Sequence, residues 1–158
     1  MTGEPLRSGP AAGGDNGVRR ERIEQLLRMF NEVAPIAGTL GMRLSYDEEG
    51  QAIVDLPYNP GLDHALGGVH GGVYATMLDT AGWFTAAAAH DEPCWLATSE
   101  MSMHLLLPVE RASLRAVGRL IKRGTRQDVA EMRLYDGDGR LVAHATGTFV
   151  LLPGVSLT

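Results

Sequence analysis

The sequence predicts an α+β fold in which one long, buried helix is held against a curved antiparallel sheet. Three observations carry that expectation. Residues 72–90 contain no proline and are dominated by Ala, Met, Leu, Trp and Phe. At about 1.5 Å per residue they make a helix of roughly 28 Å, apolar on nearly every face and therefore internal. Beyond it the period changes to two. Leu114, Ala116, Gly118 and Leu120 alternate with Arg115, Val117 and Arg119; Ala130, Met132 and Leu134 alternate with Glu131, Arg133 and Tyr135; and 141–151 alternate in the same way, as half-buried strands do. Lys122-Arg123-Gly124-Thr125 and Asp136-Gly137-Asp138-Gly139 have the Gly-containing chemistry of hairpin turns, so residues 95–152 are expected to form an antiparallel meander of four strands. A buried helix followed by hairpin-linked strands excludes a doubly wound sheet.

The remaining elements follow in order. Residues 1–17 are rich in Gly, Pro and Ala and are expected to be a flexible tail, leaving 18–158 as a single domain. In 18–34, Ile23, Leu26, Leu27, Phe30 and Ala34 recur at helical spacing, with Pro35 as a stop. This extra N-terminal helix is amphipathic and covers something. Residues 42–46 and 52–56 read as a hairpin around the polar turn Asp47-Glu48-Glu49-Gly50. The Pro- and Gly-punctuated stretch 58–69 is a loop that leads into His70-Gly71-Gly72.

Composition bounds the function. A chain of 158 residues with 44% hydrophobic and 21% charged residues suits one packed domain. Cys94 is the lone cysteine, which excludes an internal disulfide, and no segment reaches the roughly 20 apolar residues of a membrane span. No signal-like apolar run opens the chain, so a cytoplasmic protein is expected. A net charge of −5 argues against nucleic acid as a partner. Against that total, Arg111, Arg115, Arg119, Lys122, Arg123 and Arg126 follow one another without an intervening Asp or Glu. They form either a solvated strand face or an anion site.

The most unusual residue is Asp79, a carboxylate midway along the apolar helix, in Ala75-Thr76-Met77-Leu78-Asp79-Thr80-Ala81-Gly82. Desolvation and low helix propensity disfavour it there. It is either a desolvated catalytic base or nucleophile, or an acid on a solvated stripe bonded to Thr76 or Thr80. His70-Gly71-Gly72 stands at the start of that helix, where free N–H groups and the helix dipole favour developing negative charge. Gly71 lets a carbonyl approach the backbone, so its amide is a candidate oxyanion donor, although a plain turn into the helix explains the motif equally well. His64 and His70 lack the acidic or cysteine partners of a metal site. There is no GxSxG, Walker or GxGxxG signature. Trp83, one turn after Asp79, borders an acyl pocket or fills the core.

The run from His64 through His70-Gly71-Gly72 to Asp79-Thr80-Ala81 resembles the signature of the PaaI-like hotdog-fold acyl-CoA thioesterases, of the 4-hydroxybenzoyl-CoA thioesterase-like superfamily. The resemblance continues through Ala97-Thr98-Ser99-Glu100-Met101, Leu107-Pro108, Lys122-Arg123-Gly124 and Gly139-Arg140-Leu141-Val142-Ala143 to Thr148-Phe149. It implies a hotdog fold, an antiparallel sheet wrapped around a long central helix, and hydrolysis of an acyl-CoA to free acid and coenzyme A without a cofactor. In that reading Asp79 is general base or nucleophile, and the Gly71 amide polarises the thioester carbonyl. Thr98 helps place the attacking water, His70 belongs to the catalytic turn, and Gly72 contacts substrate. Lys122, Arg123, Gly124 and Arg126 lie where relatives bind coenzyme A phosphates. His64 departs from the Asn or Gln common at its position, and can still donate to the carbonyl. The family implies a homodimer with shared active sites that frequently pairs into a tetramer. A shared site also suits the helix, because Gly72 and Asp79 lie about 10 Å apart along it. The same fold hosts noncatalytic acyl-CoA sensors or scaffolds and acyl-thioester dehydratases, and no Asp and His here are arranged as the dehydratase motif.

Overall fold

The computed structural model describes residues 16–155 except 93 and 153; most of the expected tail, 1–15, lies outside the described residues. Helix α1 spans Asn16–Arg28 and widens into a π-turn at Met29–Val33. Pro35, expected as a stop, instead opens a short helix α2, Pro35–Leu40, because proline suits a first helical position. Gly41, at φ 82°, ends α2. Leu26 and Phe30 are buried, and Phe30 meets Phe84 edge-on with ring centroids 5.1 Å apart. Asn31 then docks the segment onto the sheet, accepting from Leu44 N–H at 2.9 Å and donating to Leu44 O at 3.0 Å.

Strands β1 (Arg43–Tyr46) and β2 (Ala52–Leu56) form the expected hairpin. Helix α3 spans Gly71–Ala88. Strands β3 (Trp95–Leu105), β4 (Leu114–Lys122), β5 (Gln127–Asp136) and β6 (Leu141–Leu152) follow. The sheet order is β1-β2-β4-β5-β6-β3, with every neighbouring pair antiparallel. The expected four-strand meander is therefore corrected. β4, β5 and β6 are linked by hairpins, but β3 pairs with β6 at the far edge and β4 pairs with β2. The chain crosses rather than turns because 106–113 is too long and irregular for a hairpin. Its Pro108 has no N–H to offer a ladder, Arg111 sits at φ 49°, and buried Val109 anchors the crossing by accepting from Val69 N–H at 2.9 Å.

The sheet curls around α3. Met77, Leu78 and Ala81 are fully buried against Val54, Ala116, Ala130, Met132, Leu134, Ala145 and Phe149. Helix and sheet approach so closely that a Cβ on Gly82 would fall 2.6 Å from Phe149 Cζ, and one on Gly118 would strike the Ala81 carbonyl. At three- and four-residue spacing, Gly72, Thr76, Asp79, Thr80 and Trp83 form the stripe of α3 that the sheet leaves partly open. Among the described residues no helix is long and apolar enough to cross a membrane.

Candidate active site

Asp79 lies on that open stripe and is half-buried. Thr98, on β3, donates from Oγ1 to Asp79 Oδ1 at 2.7 Å. The two helical hydroxyls considered as its partners are spent elsewhere: Thr76 donates to Gly72 O at 2.9 Å and Thr80 to Thr76 O at 2.7 Å. The acid is thus held by a strand rather than by its own helix. The β3–β6 register shifts between Thr98 and Glu100, and such a bulge re-aims the side chains beside it. Asp79 is not sealed from water, so it lacks the full desolvation expected for a buried base.

His70 caps α3, its Nδ1 accepting from Gly72 N–H at 2.9 Å. The Gly72 amide is thus already used, and Gly72 lines a hollow with Leu62, Asp63, His70 and Thr76. The Gly71 N–H, at the first helical position, has no partner among the described residues. His64 Nδ1 accepts from Leu66 N–H at 3.1 Å. A neutral imidazole that accepts at one nitrogen carries its proton on the other, so both histidines present Nε2–H as a donor. His64 and Gly71 line one hollow of about 310 Å³ with Val69, Tyr74 and Leu105 to Pro108. Burial pushes the Tyr74 phenol pKa up, and its hydroxyl donates to Leu107 O at 3.4 Å.

The run of basic residues divides in two. Arg115 is paired with Asp55 at 2.6 Å and Arg119 with Glu131 at 3.2 Å, both on the outer face of the sheet. Lys122, Arg123 and Arg126 sit exposed at the β4–β5 turn, and among the described residues none of them forms an ion pair. The Gly124 N–H donates to Asp128 Oδ1 at 2.9 Å. Asp128 is fully buried, and its Oδ2 lies 2.6 Å from His90 Nε2. This pair was not anticipated. Its signal was parity: Asp128 falls on the same alternation as Ala130, Met132 and Leu134, the face that turns inward. In register, Asp128 stands opposite Phe149 and Phe149 opposite Thr98. At about 4.8 Å per strand Asp128 therefore lies roughly 10 Å across the sheet from Thr98, with the turn just beyond it.

Trp83 is pinned rather than mobile. Its Nε1 donates to Leu96 O at 2.8 Å, and its ring meets Phe84 and Trp95 edge-on at 4.8 and 5.1 Å. Among the described residues no three His, Cys, Asp or Glu side chains converge as metal ligands would. A carboxylate aligned by a hydroxyl, a free amide at a helix start, two N–H-bearing imidazoles and an unpaired cationic turn are groups suited to acyl transfer from an anionic carrier.

Residues 66–143 match the family model of the thioesterase superfamily. A proposed esterase of Saccharolobus solfataricus is 30% identical over 112 residues, covering 71% of this chain and 74% of that protein. Among solved structures, a thioesterase family protein from Silicibacter pomeroyi superposes with a TM-score of 0.76 at 28% identity, over 84% of this chain and 99% of its own. The PaaI protein from the phenylacetic acid degradation operon of E. coli has the same fold, with a TM-score of 0.76 at 21% identity over 87% and 98% of the two chains.

Proposed function

The chain belongs to the thioesterase superfamily and shares the fold of the PaaI protein, and from that premise we propose that it hydrolyses acyl-CoA thioesters with Asp79 as the reacting carboxylate. The observation that carries the reading is the Thr98–Asp79 contact, which aligns an acid midway along an otherwise apolar helix. As general base, Asp79 takes a proton from water while the water oxygen attacks the thioester carbon. As nucleophile, it attacks that carbon itself and water cleaves the resulting anhydride. Either way the carbonyl oxygen becomes an oxyanion, for which the Gly71 N–H and His64 Nε2–H are the available donors. Collapse breaks the C–S bond and expels the thiolate of coenzyme A. A thiol pKa of about 8.5 makes that group able to leave without a strong acid.

The site is shared between two copies. Along α3 the eight-residue step from Gly71 to Asp79 is about 12 Å, too far for both to grip one thioester. β3 is an edge strand of 11 residues, with Leu105, Leu106 and Leu107 exposed at 52%, 49% and 45%. Natural proteins rarely leave such an edge unpaired. Antiparallel pairing with a second β3 would set the half of one strand that holds Thr98 against the half of the other that ends at Leu105. Thr98 holds Asp79, while Leu105 Cδ1 lies 3.0 Å from where a Cβ on Gly71 would be. The pairing thus carries the acid of one copy towards the amide of the other, twice per dimer. The tetramer that the resemblance implies is a further pairing of such dimers.

Asp79→Asn tests the chemistry. Free-thiol release from a panel of acyl-CoAs should fall at least about 100-fold, the span of a lost general base, while the melting temperature stays within a few degrees. A folded variant with unchanged turnover refutes the role of Asp79. Absence of thiol release by the native protein, with acyl-CoA still bound, identifies a sensor instead.

A further inference from the structure

We infer that Asp128 is a positioning residue for the cationic turn 122–126: its buried carboxylate locks the turn to the end of helix α3 and so holds Lys122, Arg123 and Arg126 as a fixed phosphate-binding corner on the Asp79 side of the sheet. This role rests on the proposed acyl-CoA hydrolysis and on the phosphate-binding role of the turn that the resemblance implies.

A carboxylate with no exposure, at the turn end of a strand's inward face, is costly unless both oxygens are used. Here both are. Oδ1 accepts the Gly124 N–H at 2.9 Å and Oδ2 meets His90 Nε2 at 2.6 Å. His90 stands two residues beyond Ala88, where α3 ends, and its side chain is 9% exposed. The carboxylate therefore bridges the turn and the helix that carries Asp79. Two further restraints act on the same turn. A Cβ on Gly124 would collide with the Gln127 carbonyl, which fixes how the backbone passes there, and Leu151 N–H donates to Arg126 O at 2.9 Å. The three cations thus ride on a backbone tied at Gly124, Arg126 and Asp128, and among the described residues no acidic side chain neutralises them.

A merely structural carboxylate would not need to face this turn. An apolar side chain would fill the inward position as Ala130, Met132 and Leu134 do on the same strand. What the buried acid adds is a turn whose backbone keeps one arrangement before the ligand arrives, so that the cations project from a fixed frame. This lowers the ordering cost of collecting a polyanion. The row Asp128, Phe149, Thr98 sets that corner on the side of the sheet where Thr98 meets Asp79. An acyl group at Asp79 and phosphates at the turn would then belong to one extended ligand.

The test compares one acyl group carried on coenzyme A with the same group on pantetheine, which lacks the nucleotide phosphates. Arg123→Ala establishes the reference: it should raise KM for acyl-CoA far more than KM for the pantetheine thioester. Asp128→Ala removes the acceptor of Gly124 N–H and should reproduce that split, with KM for acyl-CoA up about tenfold and kcat changed much less. Asp128→Asn keeps an acceptor for Gly124 and offers an N–H₂ to the other tautomer of His90, so it should restore KM. Gly124→Ala displaces the turn from its outer side without touching the buried pair, and it decides the matter if Asp128→Ala does not fold. Folded variants that impair both substrates equally, or that leave acyl-CoA KM unchanged while Arg123→Ala raises it, overturn the positioning role. If Arg123→Ala itself gives no split, the phosphate reading of the turn falls first, and separately.

Discussion

The helix geometry makes one demand that can be tested without knowing the acyl group. Gly71 and Asp79 sit on one rigid rod, about 12 Å apart, so no hinge within a subunit closes the gap. Two parents remove one contribution each. Asp79→Ala deletes the acid. Gly71→Pro deletes the amide hydrogen and narrows the approach to it, its Cβ falling 3.0 Å from Leu105 Cδ1, while the backbone accommodates it, because proline is favoured at a first helical position and His70, at φ −64° and ψ 136°, already has the extended conformation that a following proline requires. Losing one oxyanion donor costs about 100- to 1,000-fold in turnover, and losing the base costs a similar factor. Unfolded together in equal amounts and refolded, the parents should pair at random, so about half the dimers are mixed. Each mixed dimer has one site with both groups and one with neither. Thiol release should therefore return to about a quarter of the native rate, well above either parent. Differently tagged chains report whether mixed dimers formed. If they form and remain as inactive as the parents, acid and amide belong to the same subunit and the shared site is wrong.

Two further outcomes follow from individual contacts. Thr98→Val removes the 2.7 Å bond to Asp79; a hydrogen bond to a charged group is worth about 1.5–3 kcal/mol, so kcat should fall about 10- to 100-fold while Thr98→Ser stays near native, and an unchanged kcat in the valine variant would remove Thr98 from the mechanism. The second outcome concerns acid. The hydrogen bond from His144, with Arg133 and Arg119, outweighs burial and holds Glu131 below the usual carboxylate range; burial pushes Asp136 up, but bonds from Arg140 and the Asp138 amide outweigh it and leave it low. Because each folded pKa lies below the unfolded one, the unfolded chain binds more protons in between. Their stabilisation is thus fully present above about pH 4.5 and is lost as pH falls through the folded values. A melting temperature that does not fall from pH 5 to pH 2, or an Asp136→Asn variant with the same acid slope, contradicts this.

The parts of the fold that periodicity governs could be read from the chain. α3 lies within a residue or two of its expected span, and the hairpin turns at Gly50, Gly124 and Gly139 fall between the expected strands. What local pattern does not contain is partner choice. Nothing in 95–105 says that this strand bonds to β6 rather than to β4, because the crossing at 106–113 and the competing edge of β2 decide it at long range. The site divides in the same way. Asp79 announced itself as an acid in an apolar helix, and Gly71 as a glycine at a helix start. Thr98 was indicated only by resemblance, since its bond to Asp79 joins a strand to a helix 19 positions away. The His90–Asp128 pair spans 38 positions, and only the inward parity of Asp128 hinted at it.

The tautomers also separate hydrolysis from the other chemistry this fold supports. A dehydratase must both remove a proton from carbon and give one to a departing hydroxyl, work for which an imidazole reaching the substrate is suited. Three described histidines bear on that question. His90 is paired with a fully buried Asp128 and has 9% of its side chain exposed, so it cannot reach a ligand on the open stripe. His64 and His70 each accept a backbone N–H at Nδ1. Both rings therefore offer Nε2–H and are committed as donors. Around the reacting centre this leaves N–H groups, the Asp79 carboxylate and, beside His70, the Asp63 carboxylate, which already accepts the Tyr58 hydroxyl. Donors stabilise an oxyanion, Asp79 activates water or attacks directly, and a thiolate leaves without a general acid. Thioester hydrolysis requires nothing more, whereas dehydration also requires an imidazole that can exchange a proton with substrate, and these rings are held as donors.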